Sequence, residues 1–331
     1  MTVPARIPYS ERMPAASSIV VVGSINADLV IRGAKLPAPG ETVIGGEFYQ
    51  AAGGKGANQA VAAARAAIDP VIFLGAVGDD SHGREAIARF RTENLVCEFL
   101  KVVPDIASGV ALILVDEAGQ NLISVASGAN AHLTSQDVDS IPEAVFNGAR
   151  VFLTCLETPL DMVAHGLRRA KHAGLVTVLN PAPASREIIK AGLLPLVDIL
   201  TPNAGEAAFL AGLPTDTRDA EDETMALRAA RVLQGLGCQQ VIVTLGSRGC
   251  LVVGIDVVQH VAGRPVQAID ATAAGDAFNG ALAVALAEGR SLADAAGWAN
   301  AAAAISVTRR GAQPCLPYRS EIERFAEGTS G

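Results

Sequence analysis

From residue 149 onward, short apolar runs alternate with longer, Ala-rich stretches of mixed polarity. Continuous apolar runs of this length suit strands buried on both faces, and they fall at 150–154, 175–179, 197–201 and 240–245. Helical patterning falls between them at 160–173, 185–192, 203–211 and 219–236. This rhythm predicts a parallel sheet with crossover helices. Two further strands are expected near 250–254 and 257–262. A helix from Asp276 to about Glu288, including the Ala-rich run Ala281–Glu288, and another over Leu292–Val307 close the chain.

Nearer the N-terminus, Ile19–Gly23 reads as a central strand and Asn58–Ala67 as a helix. Val71–Ala76 reads as a strand and Glu85–Glu93 as a helix. Asp28–Ile31 and Thr42–Gln50 have strand patterning around a turn at Pro37–Gly40. Ser108–Val115 and Asn121–Ala126 read as a hairpin turning at Glu117–Gly119. The strands within 25–50 and 108–126 do not fit the α/β rhythm. They predict a small β-sheet projecting from the core, as a lid or an interface. The expected organisation is a loose tail at 1–17, one α/β domain over 18–326 with a discontinuous lid, and a tail at 327–331.

Composition narrows the class. Half of the 331 residues are hydrophobic and only 4% are aromatic, as suits a sheet covered by Ala-rich helices. The formal net charge is −8 and no Lys/Arg run occurs, which argues against a nucleic-acid partner. An anionic substrate would have to be met locally, by N–H groups, metal ions or single cations. Cys97, Cys155, Cys238, Cys250 and Cys315 are scattered and odd in number, with no C-x-x-C pair. That pattern suggests a reduced, cytoplasmic protein and neither a disulfide framework nor a zinc site. The His residues show no ligand spacing. No signal-peptide core is visible in the first residues, and no window approaches a membrane span.

In open α/β sheets, ligands gather beyond the carboxyl ends of the strands. Polar segments follow five predicted strands: Ser24–Asp28, Cys155–Glu157, Asn180–Pro183, Pro202–Glu206 and Leu245–Gly249. Asn26 and Asp28 are two apart, so an extended chain would turn both to one side, as suits a polyol. Gly53-Gly-Lys-Gly-Ala-Asn-Gln59 precedes a helix but is not a Walker A loop, since Gly56 follows the Gly-Lys pair. Asn203 and Glu206 have capping-box spacing, which is sufficient to account for them; the functional alternative is a contribution to Mg²⁺ through water. Gly246–Gly249 fits a plain hairpin turn or a loop beside phosphates, with Arg248 nearby. Neither G-x-G-x-x-G nor G-x-S-x-G occurs at the expected places, which disfavours a dinucleotide fold and an α/β-hydrolase.

The most informative segment is Asp270-Ala-Thr-Ala-Ala-Gly-Asp276. Ala273, Ala274 and Gly275 would let an anion approach backbone N–H groups at a helix start. Asp276 could take a proton there from an attacking hydroxyl. A base and an anion hole are what phosphoryl transfer most needs, although an ordinary Asp-capped helix would leave the same trace.

Together, Gly53–Gln59 and Asp270–Asp276 make the chain resemble the ribokinase, or PfkB, family of carbohydrate kinases, over about Ile19–Phe325. Gly23–Asp28, Pro39–Thr42, Asn180–Ala184, Thr244–Gly249 and Gly311–Pro314 resemble the ribose-phosphorylating members in particular. The resemblance implies a ribokinase-like α/β fold: a doubly wound, mostly parallel sheet flanked by helices, with a small β-lid. It also implies ATP-dependent phosphorylation of D-ribose at O5, with another sugar or a nucleoside as the alternative acceptor, or a silent sugar-binding protein on the same fold. By resemblance, Asn26, Asp28, Gly54, Lys55, Gly56, Ala57, Asn58 and Glu157 match positions around the sugar. Asp276 matches the base, and Ala273, Ala274 and Gly275 the anion hole. Asn203, Thr244, Leu245, Gly246, Ser247, Arg248, Gly249, Gly275 and Asn300 match positions around the nucleotide, and Glu206 the residue linked to Mg²⁺. A monovalent-cation site for K⁺ would use Asp270, the backbone carbonyls of Thr272, Ser306, Arg309 and Gly311, and the position of Cys315. Cys315 departs from the family's usual Ser, and a thiol is a poor ligand for a hard cation, so K⁺ activation is expected to be retained but weaker. Pairing of two lids into a homodimer is implied as well.

Overall fold

Ile19–Val22 is apolar at every position and buried at every position, as suits the middle of a sheet covered on both faces. In the computed structural model, which describes residues 19–214 and 222–328, this strand lies between Val71–Leu74 and Val151–Thr154, parallel to both. The main sheet has nine strands. Outward on one side from Val151–Thr154 run Val176–Leu179, Ile199–Leu200 and Gln240–Thr244, all parallel. Gly249–Val253 and Val258–Ala262 then add on antiparallel, and Leu95–Val96 closes the opposite edge. Successive side chains feed opposite faces. Val21 packs into one core with the helices Lys55–Ala66, Ala274–Ala287 and Leu292–Ser306, while Val20 and Val22 enter the other core. That second core includes residues of Leu160–His172, Ala204–Ala211 and Glu223–Gly235.

Four strands outside this rhythm form a separate sheet in the order Glu47–Gly53, Asn26–Arg32, Gly109–Val115, Asn121–Ala126. The central pair is parallel and the outer pairs are antiparallel.

Several boundaries differ from expectation. The strand expected at Thr42–Gln50 runs from Glu47 to Gly53 instead; Gly45 and Gly46 take positive φ and keep the preceding residues out of the ladder. The helix expected from Asn58 begins at Lys55, directly after Gly54. The helix expected at Glu85–Glu93 spans Ser81–Phe90, because Asp80 caps it by accepting from the N–H of Gly83. The strand and helix expected at 197–201 and 185–192 shrink to Ile199–Leu200 and Glu187–Lys190. The expected helix 219–236 is described as Glu223–Gly235, its first residues lying outside the described ones. The tail at 1–17 also lies outside them. The helix Arg319–Ala326 and the two-stranded sheet of Ala76–Gly78 with Lys101–Val103 had no expectation.

Candidate active site

Two helices meet at the carboxyl ends of the central strands. A Cβ on Gly280 would lie 2.5 Å from Ala62 Cβ and 2.7 Å from the carbonyl oxygen of Gln59. Glycine there lets Ala274–Ala287 lie directly against Lys55–Ala66, which brings Asp276 beside Asn58 and Gln59. Asn58 Nδ2 donates to Asp276 Oδ2 and Gln59 Nε2 donates to Oδ1, both at 3.0 Å. Asp276 does not cap its helix: it is the third helical residue, and the cap is Ala273, in left-handed conformation at φ 59° with no side-chain cap bond. The helix starts at Ala274, two residues before the expected Asp276. Ala274 N–H closes a turn onto the carbonyl of Ala271, while Ala273 and Gly275 complete the small-residue entry to the helix.

Burial pushes the Asp276 carboxyl above its ordinary value, against the pull of Lys55 and the hydrogen bonds from Asn58 and Gln59. For Lys55 the balance is reversed. Burial alone would lower it, but Asp276 and Glu157 raise it, so the ammonium stays charged. Asp28 is pushed up to about 7, by burial first and then by Glu157 and Asp276, with Lys55 opposing. Its carboxylate fills the space where a Cβ on Gly53 would stand.

Glu157 Oε2 accepts from Ser24 Oγ at 2.6 Å and from Lys55 N–H at 3.0 Å, tying the end of one strand to the start of the helix. Gly54 at φ 89° makes the turn, where a Cβ would strike Asn26 N and Ser24 O. Gly56 lies against the backbone of Gly23 and Ser24, and Ala57 N–H donates to Ser24 O at 2.8 Å. The structure therefore brings Asp28, Lys55, Glu157 and Asp276 into mutual electrostatic range, with Asn58 bonded to Asp276. A cavity of about 360 Å³ opens beside them, lined in part by Asn26, Ser127, Asn130, Glu157 and Pro183.

Next along the sheet edge, Asn203 and Glu206 form a full capping box: Asn203 Oδ1 accepts from Glu206 N–H, and Glu206 Oε2 accepts from Asn203 N–H, each at 2.8 Å. Glu206 is raised by burial and lies within electrostatic range of Lys55 and Asp276. Asn203 bridges to Thr244, after which Leu245 and the turn Gly246–Arg248 lead into the antiparallel strand at Gly249. Asn300 reaches the same edge: its Nδ2 donates to the carbonyl of Val261 at 3.1 Å.

Behind the helix entry, Asp270 Oδ1 accepts from Thr272 N–H and Oδ2 from Gly311 N–H, both at 2.9 Å. These bonds outweigh burial and hold its carboxyl below the usual value. Cys315 Sγ lies 2.8 Å from Ala312 O and 3.8 Å from Thr272 O, and burial pushes its thiol up to about 11. Ser306 Oγ donates to Ala303 O and the Arg309 guanidinium pairs with Glu321, which leaves the expectation for their backbone carbonyls untouched. Among the described residues, no three His, Cys, Asp or Glu side chains gather closely enough to hold a metal ion alone.

Sequence reasoning missed the second layer. Asn130 accepts from Ile25 N–H and donates to Ile25 O and to Asn26 Oδ1, so the Asn26 amide turns its NH₂ away from Asn130. Gly109 makes room for that contact. Asn130 lies about a hundred residues from Asn26, and no local spacing signals the pair. Gln59 stood inside a motif already singled out, but its partners were invisible without the fold.

An uncapped helix start, a buried carboxylate beside a charged lysine, and a cavity that Asn26 and Glu157 help to line define a phosphotransferase-like α/β site. The chain belongs to the pfkB family of carbohydrate kinases, whose model matches residues 16–319. It is 42% identical to a ribokinase of Haemophilus influenzae, over 94% of this chain and 98% of that one. It is 36% identical to a deoxyribokinase of Salmonella typhi, over 93% of this chain and 97% of that one. Its fold is similar to that of the Arabidopsis thaliana ribokinase complexed with ribose and ATP, with a TM-score of 0.82, 31% identity, and coverage of 94% of this chain and 99% of the other.

Proposed function

We propose that this protein transfers the γ-phosphoryl group of ATP to O5 of D-ribose, releasing ADP and ribose 5-phosphate. The observation that carries this reading is the buried Asp276 carboxylate, clamped by two amides at the start of an uncapped helix and facing Lys55. The ribose-linked relatives, including one complexed with ribose and ATP, support the choice of acceptor and donor.

Asp28, Asn26, Lys55, Asn58 and Glu157 surround the sugar in this reading. Asn26 presents N–H donors and Asp28 presents acceptors, so vicinal hydroxyls find both. Asp276 takes the O5 proton as the sugar oxygen attacks in line. In this reading the N–H groups of Ala273 and Gly275 meet the charge of the transferring phosphoryl group, while that of Ala274 is held by the carbonyl of Ala271. Asn203, the Thr244–Gly249 turn and Asn300 line the nucleotide side. The site carries four carboxylates, Asp28, Glu157, Glu206 and Asp276, around one lysine. Such a set would suit a divalent cation held mainly by phosphates and water, with Glu206 contributing through water. Mg²⁺, when bound, supplies positive charge that offsets the phosphates. The loop of Asp270, Thr272, Gly311 and Cys315 would hold K⁺, with the thiol as a poor ligand.

The four-stranded sheet acts as a lid that keeps water from the phosphoryl group. It is also the dimer interface. Phe48, Ile31, Leu114 and Leu122 are register neighbours in one row across the sheet. Residue alternation puts that row on the face opposite Asp28. Phe48 is 63% exposed and Leu122 51%, an unusual display of large apolar groups. A cytoplasmic location is our reading of the scattered, odd-numbered cysteines, which are free thiols; among the described residues no helix is long and apolar enough to cross a membrane.

The test is ADP release with Mg-ATP, K⁺ and a panel of pentoses, hexoses and nucleosides, with products identified. Highest kcat/KM on D-ribose, yielding the 5-phosphate, is expected. Preference for 2-deoxyribose would overturn the acceptor assignment while leaving the chemistry.

A further inference from the structure

Behind Asp276 lies a buried ring of hydrogen bonds that none of the roles above uses. Gln59 is fully buried within the helix Lys55–Ala66. Its Nε2 donates to Asp276 Oδ1 at 3.0 Å and to Asn180 Oδ1 at 3.1 Å. Asn180 Nδ2 donates to the carbonyl of Thr201 at 3.0 Å. Thr201 Oγ1 donates to Asn279 Oδ1 at 2.6 Å, and Asn279 Nδ2 to the carbonyl of Gly275 at 2.8 Å. The ring closes on the residue before Asp276, and all its side chains are buried.

The ring has one direction. A carbonyl only accepts, so Thr201 O forces Asn180 to turn its NH₂ that way and its Oδ1 toward Gln59. Gln59 must then present NH₂, which is the end Asp276 needs. Rotating the Gln59 amide would set its oxygen against two others. Gln59 Oε1 meanwhile finds no partner among protein groups. An apolar side chain of similar volume would avoid that cost, so packing alone does not account for an amide here.

We propose that Gln59, oriented by Asn180, is a positioning residue: it holds the Asp276 carboxylate in one rotation, aimed at the acceptor hydroxyl. The proposal rests on the reading of Asp276 as the base. Gln59 has no exposed surface through which to touch substrate, so it acts through Asp276 alone. The charged and titratable groups that face Asp276 are Lys55, on the same helix as Gln59, Asp28 from the small sheet, Cys155 and Glu157 from one strand end, and Glu206 from the next helix. Only Lys55 favours the anion by its charge. Removing a hydrogen-bond donor therefore tips Asp276 toward its protonated form.

The experiment is ADP release by full-length Gln59→Met with Mg-ATP and D-ribose, from about pH 5 to about pH 9. A kcat lower by about ten- to a hundredfold is expected, with ribose KM within about threefold and the acid limb of the kcat profile displaced upward by about one pH unit. Asn180→Ala, which keeps Gln59 but frees its amide, should move the limb the same way by less. An unmoved limb in Gln59→Met overturns the proposal, whether kcat is kept or lost. Should Gln59→Met fail to fold, the limb of Asn180→Ala decides in the same manner. Asp276→Asn is assayed alongside. If that variant keeps normal turnover, the base assignment falls and the proposal with it; if it is inactive while the Gln59→Met limb stays put, only the positioning role falls.

Discussion

Asp276 and Asp28 are both raised, yet they make different predictions. Asp276→Asn should lower kcat by about two to four decades, the range for a lost general base, while ribose and ATP still bind. Steady-state kinetics and titration of each ligand check this together. Asp28, pushed up to about 7, is half protonated near neutrality before sugar binds. If its ionised form accepts from the sugar, ribose KM should rise as pH falls below about 7, and Asp28→Asn should flatten that dependence. Linkage adds a stability effect. A folded-state pKa above the unfolded value of 3.8 gives stability that is complete below that value and is lost as pH rises to about 7. Thermal melts should therefore find Asp28→Asn stabilised relative to the parent at high pH and little changed at low pH. Cys315→Ser supplies a harder ligand beside Asp270, so activity should respond more strongly to K⁺; an unchanged K⁺ titration would remove the thiol from the argument.

Among the elements, the contact between Lys55–Ala66 and Ala274–Ala287 decides where Asp276 sits. Gly280→Ala places a methyl 2.5 Å from Ala62 Cβ and 2.7 Å from backbone of the facing helix. The helices must separate, at a cost of about 1–3 kcal/mol for overpacking. Denaturant unfolding should register that loss, and kcat should fall more than ribose KM changes, because Asp276 moves relative to Asn58. Elements with plain hydrophobic patterning were legible, long or short: Leu160–His172, Val151–Thr154 and the hairpin strand Asn121–Ala126 lie close to their expected bounds. Ends set by side-chain caps or paired glycines were not. Asp80 starts a helix early, and Gly45 with Gly46 delays a strand, through local bonds and dihedrals that hydrophobic patterning does not encode.

For the whole molecule, the apolar row on the small sheet predicts self-association. Sedimentation of the parent protein should give a dimer. Phe48→Asp together with Leu122→Asp should yield monomer, by placing charge on apolar surface that pairing would bury, and should reduce activity if the small sheet needs its partner. A parent protein that sediments as a monomer would end this assignment. The existence of the small sheet was readable because its strands interrupt the α/β rhythm. Its strand order, with Asn26–Arg32 parallel to Gly109–Val115, was not readable, since that pairing joins segments about eighty residues apart.

The sequence by itself determined the kind of fold and the composition of the site. Periodicity is a local property, and so is the run of small residues ahead of Asp276. Only the tertiary structure decided which way the site's groups point. Whether Asn26 offers its amide hydrogens depends on Asn130, and whether Asp276 is clamped depends on Gln59, Asn180 and a glycine on its own helix. A hydrogen bond constrains both its partners at about 3 Å, while the chain between them leaves no trace of that constraint in the order of its residues.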